Sequence, residues 1–232
     1  MAAIRQVCGE RGARCVEIGR DVRFEVRSRE GRRQAFDVVG ASRPYPGLEI
    51  DLMGMQQVVN ATVAVAALDL LSEGGADIPE DAVKRGLRET DWPARMQILG
   101  DRPTILADGA HTLESTRGLA RALEEEFHYR RLILVFGIAS DKDISGVWRV
   151  LERKADVAFL TRSTFPKAAE PRTIAQMIDD TPVEIHVVER AEEAFERARA
   201  EAGPEDLICV TGSFYLIGDV MRHLGIRPQK EE

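Results

Sequence analysis

No lysine in this sequence follows a glycine. There are five, Lys84, Lys142, Lys154, Lys167 and Lys230, so the Gly-Lys-Ser/Thr end of a phosphate-binding P-loop is absent from these residues. Cysteine is scarcer still. Cys8, Cys15 and Cys209 have neither the even count of a disulfide frame nor the Cys-x-x-Cys pairing of a zinc site. No uninterrupted run of about 18 apolar residues occurs, and the opening "MAAIRQVCGERGARC" carries arginines where a signal peptide needs its apolar stretch. The expectation is a soluble, cytoplasmic protein with no membrane partner. Basic residues are the minority, 32 Lys and Arg against 39 Asp and Glu, and the net charge of −7 argues against a general nucleic-acid surface. No repeat, low-complexity segment or nucleophile, histidine and acid spacing of a hydrolase stands out.

What is present is a core: 44% of the 232 residues are hydrophobic. The first fifty residues alternate in short pieces, "RCVEIG", "VRFEVRS", "RQAFDVVG" and "LEIDLMG", punctuated by Gly, Arg and Pro. That pattern predicts antiparallel strands. A long helix follows over "GMQQVVNATVAVAALDLLSEGG", with Val59, Val63, Ala66 and Leu70 at helical spacing and a Gly-Gly stop. A short helix, "IPEDAVKRGLRE", starts beside Pro79.

Beyond Trp92 and Pro93 the pattern changes to regular alternation. Apolar runs "PTILAD", "RLILVFG", "DVAFLT", "VEIHVV" and "DLICVTG" are each followed by a helical segment, at 112–127, 143–153, 171–179, 190–202 and 213–224. Alternation of this kind predicts an α/β domain, a mostly parallel sheet with helices on both faces. The expected division is 1–92, which looks like the end of something larger, and 93–232, long enough for a complete domain.

In an open parallel sheet the ligand crevice lies beyond the carboxyl ends of the strands. The residues at those positions are Asp108, Gly109 and His111; Gly137, Asp141, Lys142 and Asp143; Thr161 and Arg162; and Thr211, Gly212 and Ser213. Two readings fit three of these loops. Asp108 can hold a ribose hydroxyl or a basic side chain, with His111 at a helix mouth that favours anions, or Asp108 and Thr112 are turn and cap residues. "SDKD" can orient a phosphate or a metal-bound water, or Asp141 or Asp143 caps a helix. "TGSFYL" can offer backbone amides and the Ser213 hydroxyl to a carboxylate, or it is a connector whose Phe214, Tyr215 and Leu216 belong to the core.

In order, "LMGMQQVVNATVAV", "WPARMQIL", "LADGAHTLEST", "VFGIASDKDI" and "VTGSFYLIGDV" resemble the motifs of the C-terminal half of folylpolyglutamate synthase/dihydrofolate synthase. These enzymes belong to the Mur ligase superfamily of ATP-dependent acid–amino-acid ligases. The resemblance covers nearly the whole chain. It implies a Rossmann-like Mur ligase C-terminal domain at 93–232, preceded at 1–92 by the C-terminal remnant of the central ATP-binding domain. The family forms an acyl phosphate from ATP and a folate or pteroate carboxylate, which the amino group of L-glutamate then attacks. By that resemblance Asn60 contacts the adenine side, Arg95 the phosphates and Asp108 the ribose, while His111 and Ser213 lie near the glutamate, and His111 and Lys142 serve catalysis. An arginine fork suits phosphate.

The same resemblance implies that the P-loop and the Mg2+ ligands sit in a preceding domain, so this chain holds no metal site of its own and needs a P-loop domain or subunit as partner. Four positions depart from the family pattern. The family's histidine is Gln56, its second glycine in Trp-Pro-Gly-Arg is Ala94, the asparagine after the histidine is Thr112, and a frequent arginine is Lys167. Gln56 cannot take a proton near neutral pH, and Thr112 lacks an amide donor. A ligase half active with a P-loop domain is therefore one expectation. The other is a non-catalytic nucleotide- or amino-acid-binding module descended from such a ligase.

Overall fold

A computed structural model describes residues 2–40 and 42–226. The chain divides into two compact units, Met1–Asp91 and Trp92–Glu232.

In the first unit, helix α1 (Ala2–Arg11) precedes three antiparallel strands, β1 (Arg23–Glu30), β2 (Arg33–Val39) and β3 (Tyr45–Ile50). The pair Glu30 and Arg33 closes β1 onto β2 around Gly31, whose φ of 58° suits the tight turn. Two segments differ from expectation. "RCVEIG" forms no strand beyond an isolated bridge at Ile18, and the residues before it are helical. Helix α1 buries no side chain, so it leaves no apolar stripe for periodicity to reveal; Arg5 pairs it to Glu17.

Helices α2 (Met55–Glu73) and α3 (Glu80–Arg88) complete the unit, as expected. The buried stripe of α2 is Val58, Ala61, Thr62, Val65, Ala66 and Asp69, displaced by one residue from the expected face, and Val63 is half exposed. The helix is apolar all round, so spacing could not select its inner side. Its inner residues join Phe36, Val38, Tyr45 and Leu48 in one core. Asp69 fixes the docking by accepting bonds from the Ser42 amide and hydroxyl and from the Tyr45 hydroxyl. By length and composition α2 is the one described helix that could cross a membrane, but its buried side chains lie in this core.

The second unit is a six-stranded sheet in the order β4, β5, β9, β6, β7, β8. Strand β4 (Gln97–Asp101), not expected from the sequence, is an antiparallel edge on β5 (Thr104–Asp108). All other pairings, involving β6 (Leu132–Phe136), β7 (Val157–Arg162), β8 (Glu184–Arg190) and β9 (Leu207–Thr211), are parallel. All five residues of β6 and of β9 are buried, which requires cover on both faces. Ile133, Val135, Ile208 and Val210 pack against α7 (Ala191–Glu201) and α8 (Phe214–His223). On the other face Phe136 meets Trp148 of α5 (Ile144–Leu151) at 5.7 Å, with α4 (Leu113–Glu126) and α6 (Pro171–Met177) flanking it. Each such side chain contributes roughly 1.5–3 kcal/mol of transfer free energy. Burial pushes the Cys209 thiol up, which keeps it inert.

This topology positions a site. The helix after β6 covers one face and the helix after its neighbour β9 covers the other, so the connections diverge at the carboxyl ends of β6 and β9. That divergence opens a crevice.

At the opposite ends of the same two strands, buried Asp206 accepts bonds from the Gly203 amide (2.9 Å), Arg130 (3.2 Å) and Arg131 (2.8 Å). Burial raises its pKa, but the bonds from Arg131, Gly203 and Arg130 outweigh it and hold the carboxyl far below its ordinary value of 3.8. A depressed carboxylate stabilises the fold fully above that ordinary value and loses its contribution as pH falls below it. Asp206→Asn is expected to lower the unfolding free energy by about 2 kcal/mol at pH 7. Denaturant titrations of both proteins should converge as the pH falls from 5 through the range below about 4; a constant gap would remove the charge from the explanation.

Candidate active-site cleft

Four strand ends build a cleft of about 220 Å³ in the second unit. The loop after β5 supplies His111, the loop after β6 Asp141 and Lys142, the loop after β7 Phe165 and Lys167, and the β9–α8 turn Ser213, Phe214 and Tyr215. Two of the five lysines meet at this one place, so the cleft is suited to an anion.

Asp108 ends β5 with 7% exposure. One carboxylate oxygen accepts the Met96 amide at 3.0 Å and the other accepts the Ala110 amide at 2.9 Å. Burial pushes its pKa above the ordinary 3.8, against those two bonds and the nearby Arg95 guanidinium. The carboxylate clamps the segment 94–96, where Ala94 and Met96 have φ of 60° and 46°, a region that side chains with a Cβ rarely enter. Ala94, where the resembling family has glycine, therefore keeps a backbone that glycine favours. The Gly109 amide donates to the Ala94 carbonyl at 2.9 Å and closes the clamp.

Arg95, between those two residues, lies with its guanidinium 4.8 Å over the ring of Phe214. His111 meets the same ring edge-on at 5.9 Å. Its Nδ1 is 2.7 Å from the Gly109 carbonyl, which can only accept, so Nδ1 carries the proton and Nε2 is the ring's acceptor in the neutral form. Phe214 thus joins Arg95 to His111. Close fit at Gly109 makes this possible: a Cβ there would stand 2.3 Å from the Phe214 ring.

Both readings of the capping residues hold in part. Thr112 caps α4 by accepting the Ser115 amide, in a reciprocal box with the Ser115 hydroxyl. Asp143 caps α5 through the Gly146 amide at 2.9 Å, leaving Asp141 to pair with Lys142 at 3.3 Å. Ser213 caps α8 through the Tyr215 amide at 3.2 Å and still lines the cleft.

The remaining candidates separate. Arg162 turns to Glu170 and Glu189 on the surface, and Thr161 is buried. Asn60 belongs to the first unit, exposed on α2 and hydrogen bonded to Gln57, with Gln56 reaching it at 3.4 Å. Leu216 is core, as expected, but Phe214 and Tyr215 are 36% and 55% exposed. They precede the turn of α8 that reaches the sheet, so their apolar character marked the cleft rim and not the interior. Phe165 carried no sequence signal at all; its ring stacks on Tyr215 at 4.1 Å with an 8° interplanar angle. Among the described residues no group of three His, Cys, Asp or Glu side chains is arranged to hold a metal ion.

Residues 94–214 match the family model described as Mur ligase, glutamate ligase domain. The chain is similar to the probable bifunctional folylpolyglutamate synthase/dihydropteroate synthase of Haloferax volcanii, 31% identical over 202 residues that make 86% of this chain and 23% of that protein. It is also similar to the dihydrofolate synthase/folylpolyglutamate synthase of Bacillus subtilis, 25% identical over 78% of this chain and 42% of that one. The fold is that of Mycobacterium tuberculosis folylpolyglutamate synthase complexed with ADP and AMPPCP, with a TM-score of 0.86 at 24% identity over 99% of this chain and 53% of the other. A bifunctional folylpolyglutamate synthase/dihydrofolate synthase with Mn, AMPPNP and L-glutamate bound superposes with a TM-score of 0.78 at 24% identity, over 97% of this chain and 51% of the other. The chain spans less than half the length of the two relatives named. With the matched region covering more than half of its residues, the chain belongs to the Mur ligase family and carries that family's glutamate ligase domain.

Proposed function

We propose that the chain is the amino-acid-binding part of an ATP-dependent ligase that adds L-glutamate to a folate or pteroate carboxylate through an acyl phosphate. The observation that carries this reading is the convergence of Lys142, Lys167, His111 and Ser213 on one cleft at the strand ends, inside the matched glutamate ligase domain. Residues 1–92 are read as the C-terminal part of the central ATP-binding domain, and 93–232 as the ligase C-terminal domain.

The Lys167 ammonium and the Ser213 hydroxyl suit the carboxylates of glutamate. Its amino nitrogen forms the new bond to the acyl carbon, the bond from that carbon to the phosphate oxygen breaks, and phosphate leaves with the electron pair. The amine must shed a proton in this step, and His111 Nε2 is the acceptor available in the cleft. Lys142 offsets negative charge on the departing phosphate, and Arg95, fixed by Asp108 and Phe214, is the cation for the nucleotide phosphates. ATP would supply the phosphoryl group that activates the acceptor carboxylate, and Mg2+ would offset the phosphate charge. The metal ligands and the P-loop are assigned to a partner domain or subunit, because no Gly-Lys-Ser/Thr occurs in these residues. Asn60 is assigned to the adenine side and Asp108 to the ribose.

The test is ADP formation dependent on both dihydropteroate and L-glutamate. The chain alone is expected to give none, and the chain fused to the N-terminal half of the Bacillus subtilis relative is expected to turn over. In that fusion Lys142→Ala should reduce kcat at least about a hundredfold. Turnover by the chain alone refutes the division of labour. A fusion that binds glutamate but never turns over favours the non-catalytic binding module.

A further inference from the structure

One buried carboxylate beside the cleft has no part in the chemistry above. Asp219 lies in α8 with 2% exposure. One of its oxygens accepts the Thr164 amide at 2.7 Å, and the other accepts the Thr164 hydroxyl at 3.0 Å and Arg222 at 2.9 Å. Thr164 belongs to the loop between β7 and α6, and the next residue, Phe165, stacks on Tyr215. Tyr215 and Asp219 are four apart on α8, so they stand one above the other on one helix face. Successive loop residues thus dock on successive turns of the same helix.

The far side of the loop is held separately. The Lys167 carbonyl accepts the Ser140 amide at 2.9 Å, and the Ala169 amide donates to Ile138 at 2.8 Å. Those bonds fix the loop to the segment after β6. The Ala168 amide also donates to the Phe165 carbonyl at 2.9 Å, so that side carries the Phe165 backbone, while the Phe165 ring and Thr164 meet α8.

We propose that Asp219 is a positioning residue of the cleft, which latches Thr164 to α8 and thereby sets Phe165 and the approach to Lys167. Thr164 and Arg222 reach the surface, but the Asp219 carboxylate is buried, and a buried acceptor depends on the bonds its protein partners supply. The loop then presents a flat aromatic wall beside the two lysines before any ligand arrives, so ordering it takes nothing from binding. The consequence for amino-acid recognition rests on the ligase reading; the latch itself does not.

Asparagine can keep both bonds to Thr164, accepting the amide through Oδ1 and donating through Nδ2 to the hydroxyl, and it loses the pairing with exposed Arg222, which is worth little. Alanine can keep neither. Amide hydrogen exchange on the whole chain is therefore expected to speed up about tenfold or more at the Thr164 and Phe165 amides in Asp219→Ala, with β6 and β9 unchanged, and to stay near wild type in Asp219→Asn. Thr164→Val, a change at an exposed site that leaves the amide bond in place, should fall between them. In the fused ligase, Asp219→Ala should raise the KM for L-glutamate about tenfold with kcat and the KM for ATP within about twofold, and Asp219→Asn should restore it. Unchanged exchange at Thr164 and Phe165, or exchange accelerated throughout the sheet, overturns the latch. A released loop with unchanged KM overturns the positioning role. If the wild-type fusion never turns over, the ligase reading has failed and the exchange result alone decides the latch.

Discussion

Gly212→Ala is expected to lower the unfolding free energy by about 4 kcal/mol. Gly212 follows β9 with φ of 97°, where a Cβ is opposed by its own backbone. Its surroundings offer no relief. The added carbon would stand 2.6 Å from the Gly137 carbonyl oxygen and 2.9 Å from Phe136 Cε2; Phe136 ends the buried central strand β6 and Gly137 directly follows it. A flexible side chain could turn aside; a backbone carbonyl at the end of a fully buried strand cannot do so without moving the sheet. Gly218, one turn into α8, is the control. A Cβ there meets nothing within 4 Å, so Gly218→Ala should stabilise by roughly 0.5–1 kcal/mol. Guanidinium unfolding of both variants checks the contrast, and a Gly212→Ala midpoint equal to wild type would show that the crevice floor is softer than its geometry.

Asp108→Ala is expected to destabilise by about 3 kcal/mol. It strands two buried amides, those of Met96 and Ala110, each costing roughly 1–3 kcal/mol, while it relieves the desolvation of a buried charge. Asp108→Asn should cost about 2 kcal/mol, since its amide nitrogen must face one of two backbone donors. The pH dependence runs opposite to that of Asp206. With its folded pKa raised above 3.8, the protonated form is favoured in the fold, so Asp108 removes stability as pH rises through the interval above 3.8. The advantage of wild type over Asp108→Ala should therefore be greater at the acid end of that interval than at pH 7. In the fused ligase the same variant should raise the KM for ATP, because Arg95 loses the segment that holds it. Unchanged stability would mean that solvent, and not Asp108, satisfies those amides; an unchanged KM would remove its link to the nucleotide.

The parallel sheet was legible because its signal is local: β6 and β9 are apolar at every position, and strand and helix alternate with regular spacing. Less was legible where elements hide or duplicate that signal. Helix α1 buries nothing, α2 is apolar on every side, and β4 is a half-buried edge of five residues. The candidate site followed the same division. His111, Lys142 and Ser213 stand at strand ends, which a sequence locates. Phe165, Tyr215 and Asp219 act through partners 50 and 55 residues away, at Phe165 with Tyr215 and Thr164 with Asp219, and no local pattern encodes such pairs.

Composition and the order of motifs were enough to establish an α/β chain with a loop of chemistry after each strand, since burial on two faces and the start of a helix both impose residue types on a short stretch. Packing settled the rest. It gave Asp108 two backbone amides to hold, turned Phe214 outward between Arg95 and His111, and brought Lys142 and Lys167 to one cleft. The physical reason is that secondary structure depends on neighbours in the chain, whereas a site depends on which strand ends lie side by side. That is decided by the insertion of β9 between β5 and β6.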